Sequence, residues 1–305
     1  MYISCCFIIL TVAVYGFLPE LRNTIHGMVM IAFLSSFFVG FLFMATMQIL
    51  LLADNITSIA CVSMTFVIYY SWLAAFFWLN VMCFDIWRKI RSFQPPTRGL
   101  TRDDKIKFAK YIAYAFGTPA ALTILLISLE YADLPREHFL LPNIRHHGCF
   151  LVGFSKHLYL YTPIAILIVA NLVFFTLAAL DLKKAKKQTQ RVRKTEKKEF
   201  IMYVKLFIVA GINWSLEIIS SLFPEVGNYW QYTDAYNVLI GVIFFLLYVC
   251  RKNVIVALKK RSREVFCPGS QPVRPAPRPI HKTQSEATNS TNISMSSLDS
   301  VADVK

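Results

Sequence analysis

The sequence predicts an all-α membrane protein: a seven-transmembrane helix bundle (residues 1–250), a cytoplasmic amphipathic helix (251–266) and a disordered cytoplasmic tail (267–305). Three observations predict it. Of the 305 residues, 56% are hydrophobic and only 16% charged, with a mean hydropathy of +0.49; a soluble domain runs nearer about 45–50% apolar and about 25% charged. Apolar runs long enough to cross roughly 30 Å of hydrocarbon recur along the chain. The bases lie between those runs and crowd into alternate connections, as the positive-inside rule requires. A net charge of +14 therefore calls for no nucleic-acid partner. The seven cysteines are scattered and show no CxxC spacing, which excludes a zinc ribbon or a dense disulfide scaffold.

Taken in order, Tyr2–Leu18 is apolar from its first residue. Its length suits a signal peptide, but no basic segment precedes it and Pro19-Glu20-Leu21-Arg22 is not a small-residue cleavage site, so a span is expected. After the short connection Pro19–His26, Gly27–Leu52 forms the second span. The turn Ala53–Ser58 carries Asn55-Ile56-Thr57, a glycosylation acceptor wherever this loop faces the lumen.

The third span, Ile59–Arg91, is the axis of the chain. From Ile59 to Trp87 it holds one acid, Asp85, and no base, so as a helix it has no wet face. It exceeds the roughly 20 residues a crossing needs and spans with a tilt. Arg88–Lys110 then reads as a polar loop with eight bases and Pro95-Pro96. The fourth span, Tyr111–Leu129, contains Gly117 and Pro119, breakers that membrane helices tolerate where neighbours satisfy the freed carbonyls. Glu130–His157 is the longest connection on its side and holds Cys149.

Leu158–Leu180 is a fifth span with a bend expected at Pro163, followed by the very basic Asp181–Glu199. Phe200–Phe223 and Asp234–Cys250 are the sixth and seventh spans, joined by Pro224–Thr233. Arg251–Phe266 is too charged to cross. Val254, Ile255, Leu258, Val265 and Phe266 fall near one helical face, opposite Lys259, Lys260, Arg261 and Arg263, the pattern of a helix lying along an anionic leaflet. Five prolines and a Ser/Thr/Asn-rich run from Pro268 onward cannot bury a core.

Of the 32 bases, 28 fall in Pro19–His26, Arg88–Lys110, Asp181–Glu199 and the tail from Arg251. That bias places the tail in the cytosol and, with seven spans, the amino end outside. Lys205, just inside the sixth span, can snorkel to the basic side. Asn55, Cys61 and Cys149 then share the non-cytoplasmic side, an oxidising compartment in which Cys61 and Cys149 are expected to pair; two buried free thiols are the alternative. Cys267, beyond the amphipathic helix, is a candidate for palmitoylation.

Polar residues inside spans carry the remaining chemistry, because each must find a partner or a wet cavity. Glu217, with Asn213 and Trp214 one turn before it, reads either as an outer cavity that takes a proton, cation or ligand amine, or as a structural acid bonded to neighbouring spans. Asn80, Asn171 and Asn237 read as helix glue, and Asp85 as paired with Arg88 or Lys89. No HExxH, GxSxG or P-loop occurs, so no enzyme constellation and no cofactor are expected. The chain also lacks the internal repeat of a secondary transporter.

Several motifs carry a family resemblance over roughly Tyr2–Phe266. Arg22-Asn23-Thr24-Ile25-His26 resembles the RNxIH motif of secretin-like (class B) G-protein-coupled receptors, Phe116-Gly117-Thr118-Pro119 their WGxP, and Cys149-Phe150 their CW. Gly241 with Tyr248 resembles their seventh-span pattern. The stretch Phe76–Phe93 and the Asn213-Trp214 segment are similar to the Methuselah-like subfamily. The sequence departs from the class at Met82, where a third-span glutamate is usual, and at Ile208-Val209-Ala210-Gly211, which lacks the PxxG proline. Methuselah-like receptors carry a cysteine-rich extracellular domain that this chain does not show, so it reads as a fragment or as a receptor using its outer cavity alone.

The resemblance implies a plasma-membrane receptor that passes an extracellular signal, a peptide being the class expectation, to a heterotrimeric G protein, with membrane lipid as its other partner. It implies an inner cleft edged by His26, Arg88, Lys89, Lys197, Lys198 and Lys205. The rival readings are a truncated non-signalling partner or scaffold of a full-length receptor, and a small transporter using Glu217.

Overall fold

The computed structural model describes residues 1–92, 100–132, 140–142, 144, 149–151, 153–184, 200–201, 204–205, 207–208, 211 and 230–266. Over these the chain is helical and no strand occurs. The elements are α1 (Tyr2–Phe17), a single turn α2 (Pro19–Arg22), α3 (Ile25–Leu52), α4 (Ser58–Ser92), α5 (Arg102–Glu130), α6 (Thr162–Lys184), α7 (Trp230–Tyr248) and α8 (Lys252–Phe266). A π-helical turn, Lys156–Tyr161, leads into α6. Four helices are long and apolar enough to cross a membrane, namely α3, α4, α5 and the continuous helix Lys156–Lys184. Helices α7 and α8, bent by 78° at their junction, make a fifth only if the two are taken together as one broken span. Most of the expected sixth span lies outside the described residues, as do Asn213, Trp214, Glu217, Lys197, Lys198 and Cys267.

Local chemistry sets the helix ends. In the Arg22–His26 motif Thr24 is the N-cap of α3, its Oγ1 accepting from Gly27 N at 3.0 Å and donating to Leu21 O at 2.8 Å. A capping side chain of this kind satisfies one of the four orphan donors at a helix start. Thr101 and Asp104 form a reciprocal capping box on α5. The polar loop expected over Arg88–Lys110 is accordingly shorter. Helix α4 carries Arg88, Lys89 and Arg91 in its closing turns, and α5 has already begun at Arg102. Bases in a last turn complement the helix dipole, which is why α4 runs past its apolar stretch.

The central position of the third span is confirmed. Every residue from Ser71 to Cys83 in α4 is buried. Helix α3 packs on it through Phe37 and Phe41 against Trp72, with ring centroids 5.2 and 5.1 Å apart. Helices α5 and α6 pack along other faces of α4. The outer helices instead expose Ile112, Ile124, Leu125, Ile166, Val169 and Leu172, a surface suited to hydrocarbon. α1 lies parallel to α7, Ser4 opposite Gly241 and Tyr15 near Tyr248. α4 and α6 are likewise parallel, while α5 runs against α4. The closing turns of α1, α4, α6 and α7 and the opening turns of α3 and α5 therefore share one end. That end gathers His26, Arg88, Lys89, Lys105, Lys183 and Arg251.

Candidate functional site

At the opposite end the bundle is stapled. Cys61, at the start of α4, is bonded to Cys149 across 88 residues of chain, with Cα atoms 5.0 Å apart. Closing a loop of that length removes unfolded-state freedom worth about 4–5 kcal/mol in a chain-entropy account. Thr65 sits under the bridge, its hydroxyl 3.0 Å from Cys61 O and also in contact with Cys149 O. Further fastenings hold the connection between α5 and α6. Ile144 N donates to the buried Glu130 carboxylate at 3.1 Å, Ser155 donates to Leu141 O at 3.0 Å, and Tyr159 donates to Leu140 O at 2.6 Å. Any outer site is thus framed by backbone tied to α4, α5 and α6. Asn55 is exposed in the turn beside Asp54, which adopts a positive φ of 49°. Thr57 starts α4, its hydroxyl accepting from Ala60 N at 3.3 Å.

The middle of the bundle holds a chain of hydrogen bonds. Tyr114 on α5 donates to Asn80 Oδ1 at 3.1 Å, and Asn80 Nδ2 donates to Asn171 Oδ1 at 2.9 Å on α6. The glue expected of Asn80 and Asn171 is therefore present and made between these two residues, with Tyr114 added to them.

Towards the base-rich end, the structure supplies Asp85 with two partners from α5 where the sequence suggested Arg88 or Lys89. Its Oδ1 is 2.9 Å from the donating Tyr111 hydroxyl and 2.5 Å from Lys107 Nζ. The reason is geometric: a short aspartate on α4 faces the neighbouring helix, whose Lys107, Tyr111 and Tyr114 follow a 4,3 spacing and so share one face. That spacing was the available signal for these three residues. His26 and Lys89 are half-buried, while Arg88 and Lys205 are exposed. Met82, in place of the class glutamate, is buried, and the fully buried Tyr248 hydroxyl has no hydrogen-bond partner among the described residues.

A bundle of apolar, lipid-suited helices around an axis buried through its middle turns, pinned at one end and basic at the other, is the build of a multi-span membrane protein. Residues 1–245 match the model of the 7 transmembrane receptor (Secretin family), and the chain belongs to that family. Curated relatives narrow the likeness to Methuselah-like receptors, proteins that are not enzymes. The G-protein coupled receptor Mth2 of Drosophila yakuba is 30% identical over 283 residues, covering 87% of this chain and 51% of that protein. The G-protein coupled receptor Mth of Drosophila melanogaster is 29% identical, covering 84% and 51%. The Probable G-protein coupled receptor Mth-like 10 of the same species is 28% identical, covering 87% and 48%. The chain thus spans about half the length of the curated relatives it matches.

Proposed function

We propose that this receptor-family chain carries an extracellular signal, of the peptide kind, across the plasma membrane to a heterotrimeric G protein. The observation that carries the reading is the gathering of bases at one end of a bundle whose other end is disulfide-pinned. In this reading residues 1–250 form the seven-span domain, with the amino end outside and the carboxyl end cytoplasmic. Asn55 carries a glycan, and the outer cavity is built around Asn213, Trp214 and Glu217. Helix α8 lies along the inner leaflet, which its 78° turn from α7 supports, and residues 267–305, with Cys267 as an acylation site, trail into the cytosol.

Mechanistically, a ligand that binds one packing of the helices better than another shifts their populations by its differential affinity. In this reading the stimulus shifts the packing of the third, fifth, sixth and seventh spans and opens an inner cleft. His26, Arg88, Lys89, Lys197, Lys198 and Lys205 edge the cleft that receives an acidic face of the G protein. The test replaces Lys197 and Lys198 together by glutamate in the full chain and follows nucleotide exchange on purified heterotrimer beside surface delivery. Coupling should fall while delivery holds; unchanged exchange would remove these residues from the docking face.

A further inference from the structure

Helices α5 and α6 both pack along α4 but make at most marginal contact with each other. Between them lies a cleft of about 230 Å³ whose floor is α4, lined by Asn80, Val81, Phe84, Tyr111, Tyr114 and Phe174. Tyr114 is 42% exposed at its mouth, and Ile112, Leu172 and Val173 stand exposed on the flanking helices. Where these helices span a bilayer, the mouth opens sideways into hydrocarbon, and an occupant arrives from the membrane.

The polar floor has an uneven hydrogen-bond inventory. Tyr114 has committed its proton to Asn80, Tyr111 has committed its own to Asp85, and one Asn80 amide proton goes to Asn171. What remains on the lining residues are lone pairs on two phenol oxygens and on Asn80 Oδ1, with the second amide proton of Asn80 as a single donor; Asn171 Nδ2, unpartnered among the described residues, is buried and does not line the cleft. A phosphate or carboxylate brings acceptors only and would set its charge against those lone pairs in a dry site. The nearby cation, Lys107, is already engaged by Asp85. A neutral hydroxyl both donates and accepts, and so matches the floor.

The walls select the rest of the occupant. Phe84 and Phe174 meet edge to face with centroids 5.6 Å apart, and Trp87 stacks on Phe174 at 5.7 Å. Such braced rings form flat, stiff surfaces, against which a rigid fused-ring body loses less freedom than a flexible acyl chain. We propose that the cleft binds a membrane sterol, its hydroxyl between Tyr114 and Asn80 and its first rings against Phe84 and Phe174. The remainder of the sterol stays in the lipid. The floor residues lie about 6–12 Å along α4 from Arg88, so the hydroxyl is held below the headgroup layer, away from competing water. The site is independent of G-protein coupling and requires only that these three helices cross the bilayer.

The test uses the full chain in sterol-free lipid nanodiscs, loaded with a diazirine-bearing 3β-sterol and mapped by mass spectrometry after illumination. Labelling should fall on α5 and α6 peptides around Tyr114 and Phe174. Unlabelled 3β-sterol should displace it, while the 3α-epimer and diacylglycerol displace it poorly. Tyr114→Phe should weaken retention roughly fivefold, the effect of one lost hydrogen bond, and narrow the preference for the 3β- over the 3α-epimer, Asn80 still bonding the hydroxyl. Val81→Phe, which fills the cleft, should abolish labelling there. Labelling spread evenly over lipid-facing helices, equal competition by both epimers in the wild type, or displacement by diacylglycerol as strong as by sterol would overturn the proposal. A Tyr114→Phe chain that retains the sterol and discriminates the epimers as strongly as the wild type would overturn it too.

Discussion

The hydroxyl of Tyr69 donates, at 3.0 Å, to the carbonyl of Tyr159, four residues ahead of Pro163. A proline offers no N–H to the carbonyl four residues back and its ring crowds that carbonyl. The chain answers with a π-helical turn over Lys156–Tyr161, from which Thr162 N and Oγ1 both bond His157 O, and with a phenol from α4. The bend that the sequence anticipates at Pro163 is thus a widened turn whose carbonyl is held by the central helix.

Replacing Tyr69 by Phe keeps the ring and removes only that donor. Hydrogen bonds between membrane helices average about 0.6 kcal/mol and reach about 1.7. We expect Tyr69→Phe to lower stability by about 0.5–1.5 kcal/mol, read as a fall of a few degrees in the unfolding midpoint of the detergent-solubilised chain. A midpoint equal to wild type would mean that the π-turn satisfies itself.

Gly241 and Gly16 should respond to alanine with opposite sign. A Cβ on Gly241 would meet the Ser4 backbone, with Ser4 O at 2.4 Å and Cα at 2.5 Å, whereas one on Gly16 meets nothing within 4 Å. Backbone cannot step aside as a side chain can, so Gly241→Ala pushes α1 off α7 and breaks the 3.3 Å contact from Gly241 N to Ser4 Oγ. Overpacking of this kind costs about 1–3 kcal/mol. Gly16→Ala should be neutral or stabilising by up to about 1 kcal/mol, since glycine within a helix is the less favourable residue. Thermal unfolding of the two variants side by side checks the pair.

Asp85 and Lys107 should show coupling in a double-mutant cycle. Their side chains are 13% and 26% exposed, more sheltered than a surface pair worth about 0–1 kcal/mol. Asp85→Asn and Lys107→Met should each destabilise, and the double variant by less than their sum, with a coupling of about 1 kcal/mol or more. Raising salt should shrink that coupling only weakly, because sheltered charges are poorly screened. Additive effects would show the contact to be incidental.

The fold was legible where the signal is local. Composition and run length marked α3, α4 and α5, and the absence of any polar face on Ile59–Trp87 marked α4 as the helix buried all round. Side counting brought Cys61 and Cys149 together before the structure showed their bond. The charged, one-faced pattern after Arg251 marked α8 as a separate helix, turned 78° from α7.

What the tertiary structure alone decided is which face of each helix meets which neighbour. In a soluble bundle the polar stripe points outward and sets that rotation; in lipid both the bundle interior and the surroundings favour apolar side chains. The 4,3 spacing puts Lys107, Tyr111 and Tyr114 on one face of α5, but the order of residues did not turn Asp85 towards that face, set Tyr69 beneath the Tyr159 carbonyl, or part α5 from α6 over Asn80. Those meetings are settled by close packing around α4 and by the need of each polar group in a dry medium to find its partner.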